Sequence, residues 1–303
     1  MKIPLIVIGG PTASGKTALA VKLAQRLGGE IVSADSMQVY KSMDIGTAKP
    51  TLEERAGIAH YLLDEIEPDE PFSVAQYAQR AHEAIRTIHE KGKLPILAGG
   101  TGLYIDAVIR DMDFGEIEVD YALRDELERI AEQKGADYLH RMLAEFDPET
   151  AEKYHANNVK RIVRAIEFYK TTGETLSAHQ KRTKKESRYD VCFLAVEWDR
   201  RVLYERIEQR VELMLREGLI DEVKGLVARG YTKRLVSMQG IGYKEVIDYL
   251  RGLSTYDEMV RIVKRDTRRY AKRQLTWFRR EEGIHWIKYG NNMVECAIEI
   301  IKR

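Results

Sequence analysis

Gly10, Gly15, Lys16 and Thr17 stand at the spacing G-x-x-x-x-G-K-[ST] within "IVIGGPTASGKTALA", residues 6–20. Glycines at those two positions let successive backbone N–H groups turn inward and line an anion-sized nest. Gly10, Pro11, Thr12, Ala13, Ser14 and Gly15 would form that nest. "IPLIVI" before it reads as a buried strand, and "GKTALAVKLAQRL" after it as an amphipathic helix. The positive end of that helix would point into the same space. Lys16 adds a mobile charge, and Thr17 offers a hydroxyl to a phosphate-bound Mg²⁺. The spacing specifies a phosphate site and leaves its occupant open.

A second group of polar residues follows the next apolar run. Asp35 comes just past "EIVSA", so it falls at the carboxyl end of a predicted parallel strand, where open α/β sheets place their sites. A carboxylate there can coordinate a cation or accept a proton. The stretch that follows, "SADSMQVYKSMDIGTAKP" (33–50), is long, polar and without regular periodicity, as a site-forming loop would be. A third stretch, "LAGGTGLY" (97–104), ends another strand with glycines and the hydroxyl of Thr101. No aspartate closes that strand, so the metal-binding half of an ordinary nucleotide hydrolase is incomplete. Asp64 in "YLLDE" is a weak substitute.

Positioning these residues requires a sheet. Short apolar runs at "IPLIVI", "EIVSA", "AHYLL" and "LPILA" alternate with helical stretches at 16–27 and 73–91, the pattern of a parallel sheet with helices on both faces. Strand character disappears from about 113 to 185, where "YALRDELERIAEQKG" and "NVKRIVRAIEFYKTTG" read as helices that stop on glycine. "VCFLAVEW" (191–198) would rejoin the sheet, the remainder is helical, and "HWIKY" is a possible edge strand. The expected organisation is a core of residues 1–112 and 186–303 with an all-helical insertion over 113–185.

The 303 residues suffice for a sizeable core, no apolar run approaches membrane-spanning length, and the start of the chain reads as a strand rather than a signal peptide. Cys192 and Cys296 offer neither a disulfide framework nor metal-ligand spacing. A cytoplasmic protein is the expectation. Net charge is only +1, yet it is segregated: residues 158–188 carry nine lysines and arginines against three glutamates, and "RIVKRDTRRYAKRQLTWFRR" (261–280) contains one acid, Asp266. Such a chain can present a strongly positive face to a polyanion. Lys160, Arg161 and Arg164 share one helical face by spacing, while Tyr270, Leu275 and Phe278 read as core.

"GPTASGKT", "ADSMQVYKSMDIGTAKP", "AGGTGLY", "VKRIVRAIE", "SMQGIGYKE" and "AKRQLTWFR" occur in this order. Together they resemble the bacterial tRNA dimethylallyltransferases, also called tRNA isopentenyltransferases, over nearly the full length. The resemblance implies a P-loop NTPase-like α/β core, a helical insertion gripping a tRNA anticodon stem-loop, and transfer of a dimethylallyl group from dimethylallyl diphosphate to N6 of adenosine 37 with Mg²⁺. It makes Asp35 the base at the adenine amine, with Ser36, Met37 and Gln38 around the adenine. Thr101 would lie at the reaction channel and Lys16 and Thr17 at the diphosphate. Arg210 matches a family arginine near the diphosphate, although its own helical context reads as a solvated position. Arg124, Asn158, Lys160, Arg161 and Arg164 are the matching tRNA contacts. "YHANNVKR" (154–161) departs from the family pattern at Ala156 and Asn158, where relatives often carry proline and aspartate. A monomer is expected.

In such a reaction negative charge grows on the departing diphosphate, where N–H groups and Lys16 act differentially on the transition state. Three other readings share part of the pattern: a small-molecule kinase, an enzyme prenylating free adenylates, and a non-catalytic RNA-binding module.

Overall fold

Residues 2–115, 120–183 and 186–302 are described in the structure, a computed structural model. Lys184 and Lys185 of the basic run lie outside them. The chain divides into two compact units, Met1–Ile109 with Ser187–Arg303, and Arg110–Glu186.

The first unit is built on six parallel strands: β1 (Ile3–Gly9), β2 (Gly29–Ala34), β3 (His60–Tyr61), β4 (Leu94–Gly99), β5 (Tyr189–Glu197) and β6 (Ile284–Lys288). Their order is β3-β2-β4-β1-β5-β6. Side chains of β1 alternate between two apolar layers. Leu5 and Val7 pack with α3 (Val74–Glu90) and α4 (Gly102–Ile109), and Ile6 and Ile8 with α1 (Lys16–Leu27) and α14 (Met293–Ile301). Burial on both faces is why the strand reads as an unbroken apolar run. "AHYLL" supplies only a two-residue edge strand, because Leu62 takes φ 63° and turns the chain out of the sheet. "HWIKY" does form the opposite edge, paired to β5.

Register sets where the polar loops leave the sheet. Gly99 lies beside both Gly9 and Ala34, so the loops after β1, β2 and β4 start at one level. Only glycine fits at 99, since a Cβ there would sit 2.1 Å from the Ala34 carbonyl oxygen.

Helices α2 (Leu52–Arg55), α10 (Arg200–Arg216), α11 (Leu219–Ala228), α12 (Tyr243–Leu250) and α13 (Tyr256–Phe278) complete this unit. Helix α13 starts at a capping box in which Thr255 and Glu258 satisfy each other's backbone N–H groups. Val39, Tyr40 and Met43, from the loop after β2, are buried against Val211, Leu219, Val223 and Tyr243 of α10–α12. A loop with no regular periodicity is thereby held by an apolar core of its own. Asp64 is engaged with Lys49, at 2.5 Å, and with Arg55, so it anchors this loop.

The second unit consists of α5 (Tyr121–Lys134), α6 (Ala136–Ala144), α7 (Pro148–Lys153), α8 (Val159–Thr172) and α9 (Leu176–Arg182). They close around Leu127, Leu139, Leu143, Ile162, Val163 and Ile166. Helix α5 ends at Gly135 (φ 89°) and α8 at Gly173 (φ 73°), conformations that favour glycine. Glu167 is fully buried in α8 and accepts two hydrogen bonds from Arg124 (2.9 and 2.8 Å), one from Arg164 (2.9 Å) and one from the Asp120 N–H. Burial alone would raise its carboxyl pKa, but the two guanidinium groups hold it below the usual range. Lys160 and Arg161 are exposed, whereas Arg164 turns partly inward to this pair. Asn158 is exposed at the start of α8 and makes no side-chain cap.

Among the described residues no helix is long and apolar enough to cross a membrane.

Candidate active site

The three loops meet at a cavity of about 350 Å³ in the first unit. Thr12, Lys16 and Thr17 line it from the phosphate loop, and Asp35, Ser36, Met37 and Gln38 from the loop after β2. Arg210 lines it from α10 and Tyr270 from α13. Two residue-level expectations change. The helix pattern makes Arg210 a solvated position, but its neighbours Ile207, Val211 and Met214 face the same cavity and carry the guanidinium in with them. Tyr270 is not core like Phe278; it lines the cavity.

The phosphate loop is held from behind. Gly15 adopts φ 81° as the chain enters α1, and the Ser14 hydroxyl is fully buried without a hydrogen-bond partner among the described residues. Gly10, at φ 151°, leaves a space in which a Cβ would lie 2.9 Å from that hydroxyl. Arg206 Nε donates to the Ala13 carbonyl at 3.0 Å and Trp198 Nε1 to the Ser14 carbonyl at 2.9 Å. The Arg206 guanidinium in turn lies 4.4 Å from the Trp198 ring centroid, and Trp198 stacks on Tyr289 at 4.1 Å. With two carbonyls fixed outward, the loop's N–H groups are biased toward its concave side.

Four basic side chains, Lys16, Arg210, Lys244 and Arg273, share the cavity with one carboxylate, Asp35. Burial first, then the nearby Arg210 charge, pushes the Lys16 ammonium down to about 8, against the opposing pull of Asp35. Its Nζ donates to the Pro11 carbonyl at 3.3 Å. Burial likewise lowers the Arg210 guanidinium, which lies 3.5 Å from the Thr12 hydroxyl. Asp35 Oδ1 accepts from the Met37 N–H at 2.9 Å, an Asx-type turn, and the Ser36 N–H donates to Thr101 Oγ1 at 3.1 Å. Thr101 therefore joins the β4 end to the Asp35 loop rather than capping its own helix through its side chain.

Three residues support these loops; Gln38 and Gln274 fall inside quoted motifs without a bracing role being legible there, and Glu222 falls in none. Glu222 of α11 accepts from the consecutive N–H groups of Asp44, Ile45 and Gly46 (2.9, 2.7 and 3.1 Å) and from the Tyr243 hydroxyl. It fixes the far wall, where Gly46 and Tyr243 face the cavity. Gln38 Nε2 donates to the carbonyls of Thr47 and Ala48, holding the same loop from inside. Gln274 bridges two backbone loops, as described below. For Glu222 the only available hint is its placement on an otherwise amphipathic helix.

A parallel α/β sheet with a phosphate nest after β1 and a charged cavity at its carboxyl edge defines a P-loop NTPase-like protein. The IPP transferase family model matches residues 38–281. The chain is 55% identical over 284 residues to a tRNA dimethylallyltransferase of Acetivibrio thermocellus, covering 93% of this chain and 91% of the relative. Among solved structures it is similar to the tRNA isopentenylpyrophosphate transferase of Bacillus halodurans (TM-score 0.74, 45% identity, 99% of this chain and 95% of that one). It also resembles a eukaryotic dimethylallyltransferase captured acting on tRNA (TM-score 0.81, 31% identity, 94% and 74% covered). The chain belongs to the IPP transferase family and is an enzyme of its tRNA dimethylallyltransferase type.

Proposed function

We propose that this enzyme, a cytoplasmic monomer, transfers a dimethylallyl group from dimethylallyl diphosphate to N6 of adenosine 37 in tRNA anticodon loops and releases diphosphate. The observation that carries this reading is one cavity lined by Lys16, Arg210, Lys244 and Arg273 together with Asp35, whose loop is tied to Thr101, and by apolar Ile207, Val211 and Met214 on the helix that carries Arg210. Such a cavity suits a short allylic chain joined to a multiply charged diphosphate leaving group.

Lys16, Arg210 and the loop N–H groups hold the diphosphate as the C–O bond breaks, meeting charge that grows in the transition state. The adenine N6 forms its bond to the allylic carbon, and its surplus proton passes to Asp35. The donor set fits Mg²⁺ carried by the diphosphate: Thr17 offers one hydroxyl, and no group of three His, Cys, Asp or Glu among the described residues forms a protein cage. When bound, Mg²⁺ would supply further charge neutralisation of the leaving group. The exposed Lys160 and Arg161 support a role for the helical unit in holding the anticodon stem-loop by its phosphates.

The direct test is mass spectrometry of adenosine 37 in tRNA incubated with dimethylallyl diphosphate. Unmodified tRNA, or turnover of ATP to ADP instead, would overturn the reading.

Acceptor choice gives a quantitative check. Free AMP lacks the backbone that supplies most tRNA affinity, so it should be a very poor acceptor at any practical concentration. Log affinity for tRNA should fall linearly with log salt, by about 0.7–0.9 per neutralised phosphate. Replacing both Lys160 and Arg161 with alanine should flatten that slope, whereas Arg164→Ala, already committed to Glu167, should change it little. Efficient prenylation of AMP, with an unchanged slope in the double variant, would favour an adenylate-modifying enzyme.

The Lys16 value fixes a pH window. Its ammonium is charged below about 8 and neutral above, so kcat/KM for the donor should be level below that pH and decline as pH rises through it. In Lys16→Arg the alkaline decline should move well upward, because arginine keeps its charge. A profile flat to strongly alkaline pH in the wild type would remove Lys16 from donor capture.

A further inference from the structure

Gln274 lies in α13, only 6% exposed, and uses both ends of its amide on backbone. Its Oε1 accepts from the Thr12 N–H at 2.9 Å, and its Nε2 donates to the Gly100 carbonyl at 2.9 Å. Each partner is next to an acting group. On the Thr12 side, the hydroxyl meets Arg210 and the loop continues to Lys16. On the Gly100 side, the next residue is Thr101, whose Oγ1 accepts from the Ser36 N–H beside Asp35. One side chain thus connects the diphosphate side of the cavity to the base side.

The fit at Gly100 is tight. A Cβ there would lie 2.3 Å from Gln274 Nε2, so the amide is seated against bare backbone. A carboxylate in its place would still accept from Thr12 but would face the Gly100 carbonyl oxygen with no proton to give. An apolar side chain would take this partner from the buried Gly100 carbonyl and from the half-buried Thr12 N–H.

We infer that Gln274 is a positioning residue that sets the separation between the phosphate loop and the Asp35 loop, and hence between the allylic carbon and the attacking nitrogen. The inference rests on the prenyl-transfer reading above. Displacement of about 1 Å between reacting groups costs roughly a hundredfold in rate. Loss of Gln274 should therefore lower the transfer step while each substrate still binds to the loops that hold it.

The test uses the full-length enzyme and two variants, Gln274→Glu and Gln274→Met. Single-turnover transfer to tRNA is measured alongside dissociation constants for dimethylallyl diphosphate and tRNA, with melting temperature as a control. Expected is a loss of about ten- to a hundredfold in the transfer rate, with both dissociation constants within about threefold of wild type. A second readout is specific to the Gly100 bond. Protonation of the glutamate carboxyl restores a donor, so the Gln274→Glu rate divided by the wild-type rate should climb as pH falls. The same ratio for Gln274→Met should stay level. Taking the ratio cancels titration of the groups facing this position: Tyr270 and Arg273 on α13, Lys16 on the phosphate loop, Arg210 on α10, and Asp35. Wild-type rates in both variants, a loss explained wholly by weaker binding, or a pH-independent ratio for Gln274→Glu would each overturn the inference. If Gln274→Met does not fold, the Gln274→Glu ratio decides alone. None of these outcomes touches the prenyl-transfer reading, which fails only if the wild-type enzyme does not modify tRNA.

Discussion

Replacing Asp35 with asparagine is expected to lower turnover by about two to four orders of magnitude while dimethylallyl diphosphate and tRNA still bind. Asparagine keeps the shape and one acceptor oxygen for the Met37 N–H, so the turn that presents residue 35 should survive. What it removes is the place for the N6 proton. Single-turnover transfer at saturating substrates measures this, with binding followed separately. Turnover restored by excess Mg²⁺ would instead make Asp35 a metal ligand.

Lys16→Ala should lower turnover by roughly a hundredfold or more, with tRNA affinity little changed. Burial disfavours its ammonium in the free enzyme, where it donates to the Pro11 carbonyl, and on the proposed reading the diphosphate supplies its anionic partner. The charge on that partner grows as the C–O bond breaks, so the loss should appear in kcat as well as in donor KM. Near-normal turnover at saturating donor would separate this loop from the leaving group.

The phosphate loop, the Asp35 edge and the Thr101 turn are legible in sequence because each is local: a few residues of fixed type beside a strand. The alternation of strands and helices is legible for the same reason, down to the edge strand at 284–288. Long-range side-chain-to-backbone bonds are not. Gln274 acts on Thr12 and Gly100, and Glu222 on residues 44–46, across separations that no periodicity encodes. Arg210 misleads because a charged residue on a helix defaults to solvent. Its signal was the apolar company of Ile207, Val211 and Met214. On α8 the informative residue was Glu167, an acid set within Ile162, Val163, Ala165, Ile166 and Phe168, which holds Arg164, an arginine that composition alone assigns to a basic face, and Arg124, a tRNA contact implied by the resemblance.

The sheet order also has a consequence for synthesis. Strand β1 is central, with β4 on one side and β5 on the other, so Ile3 finds its neighbour Tyr189 only after well over half the chain has left the ribosome. Arg206, Gln274 and Tyr289, which shape or flank the phosphate loop, emerge later still. A nascent chain therefore displays the whole G-x-x-x-x-G-K-T stretch, with β4 beside its strand, before the residues that brace the loop from behind have been made. Closing so long a separation costs entropy that only the late pairing offsets, and such topologies fold slowly. The phosphate loop is thus expected to reach its braced form only at the end of translation, when the C-terminal helices dock.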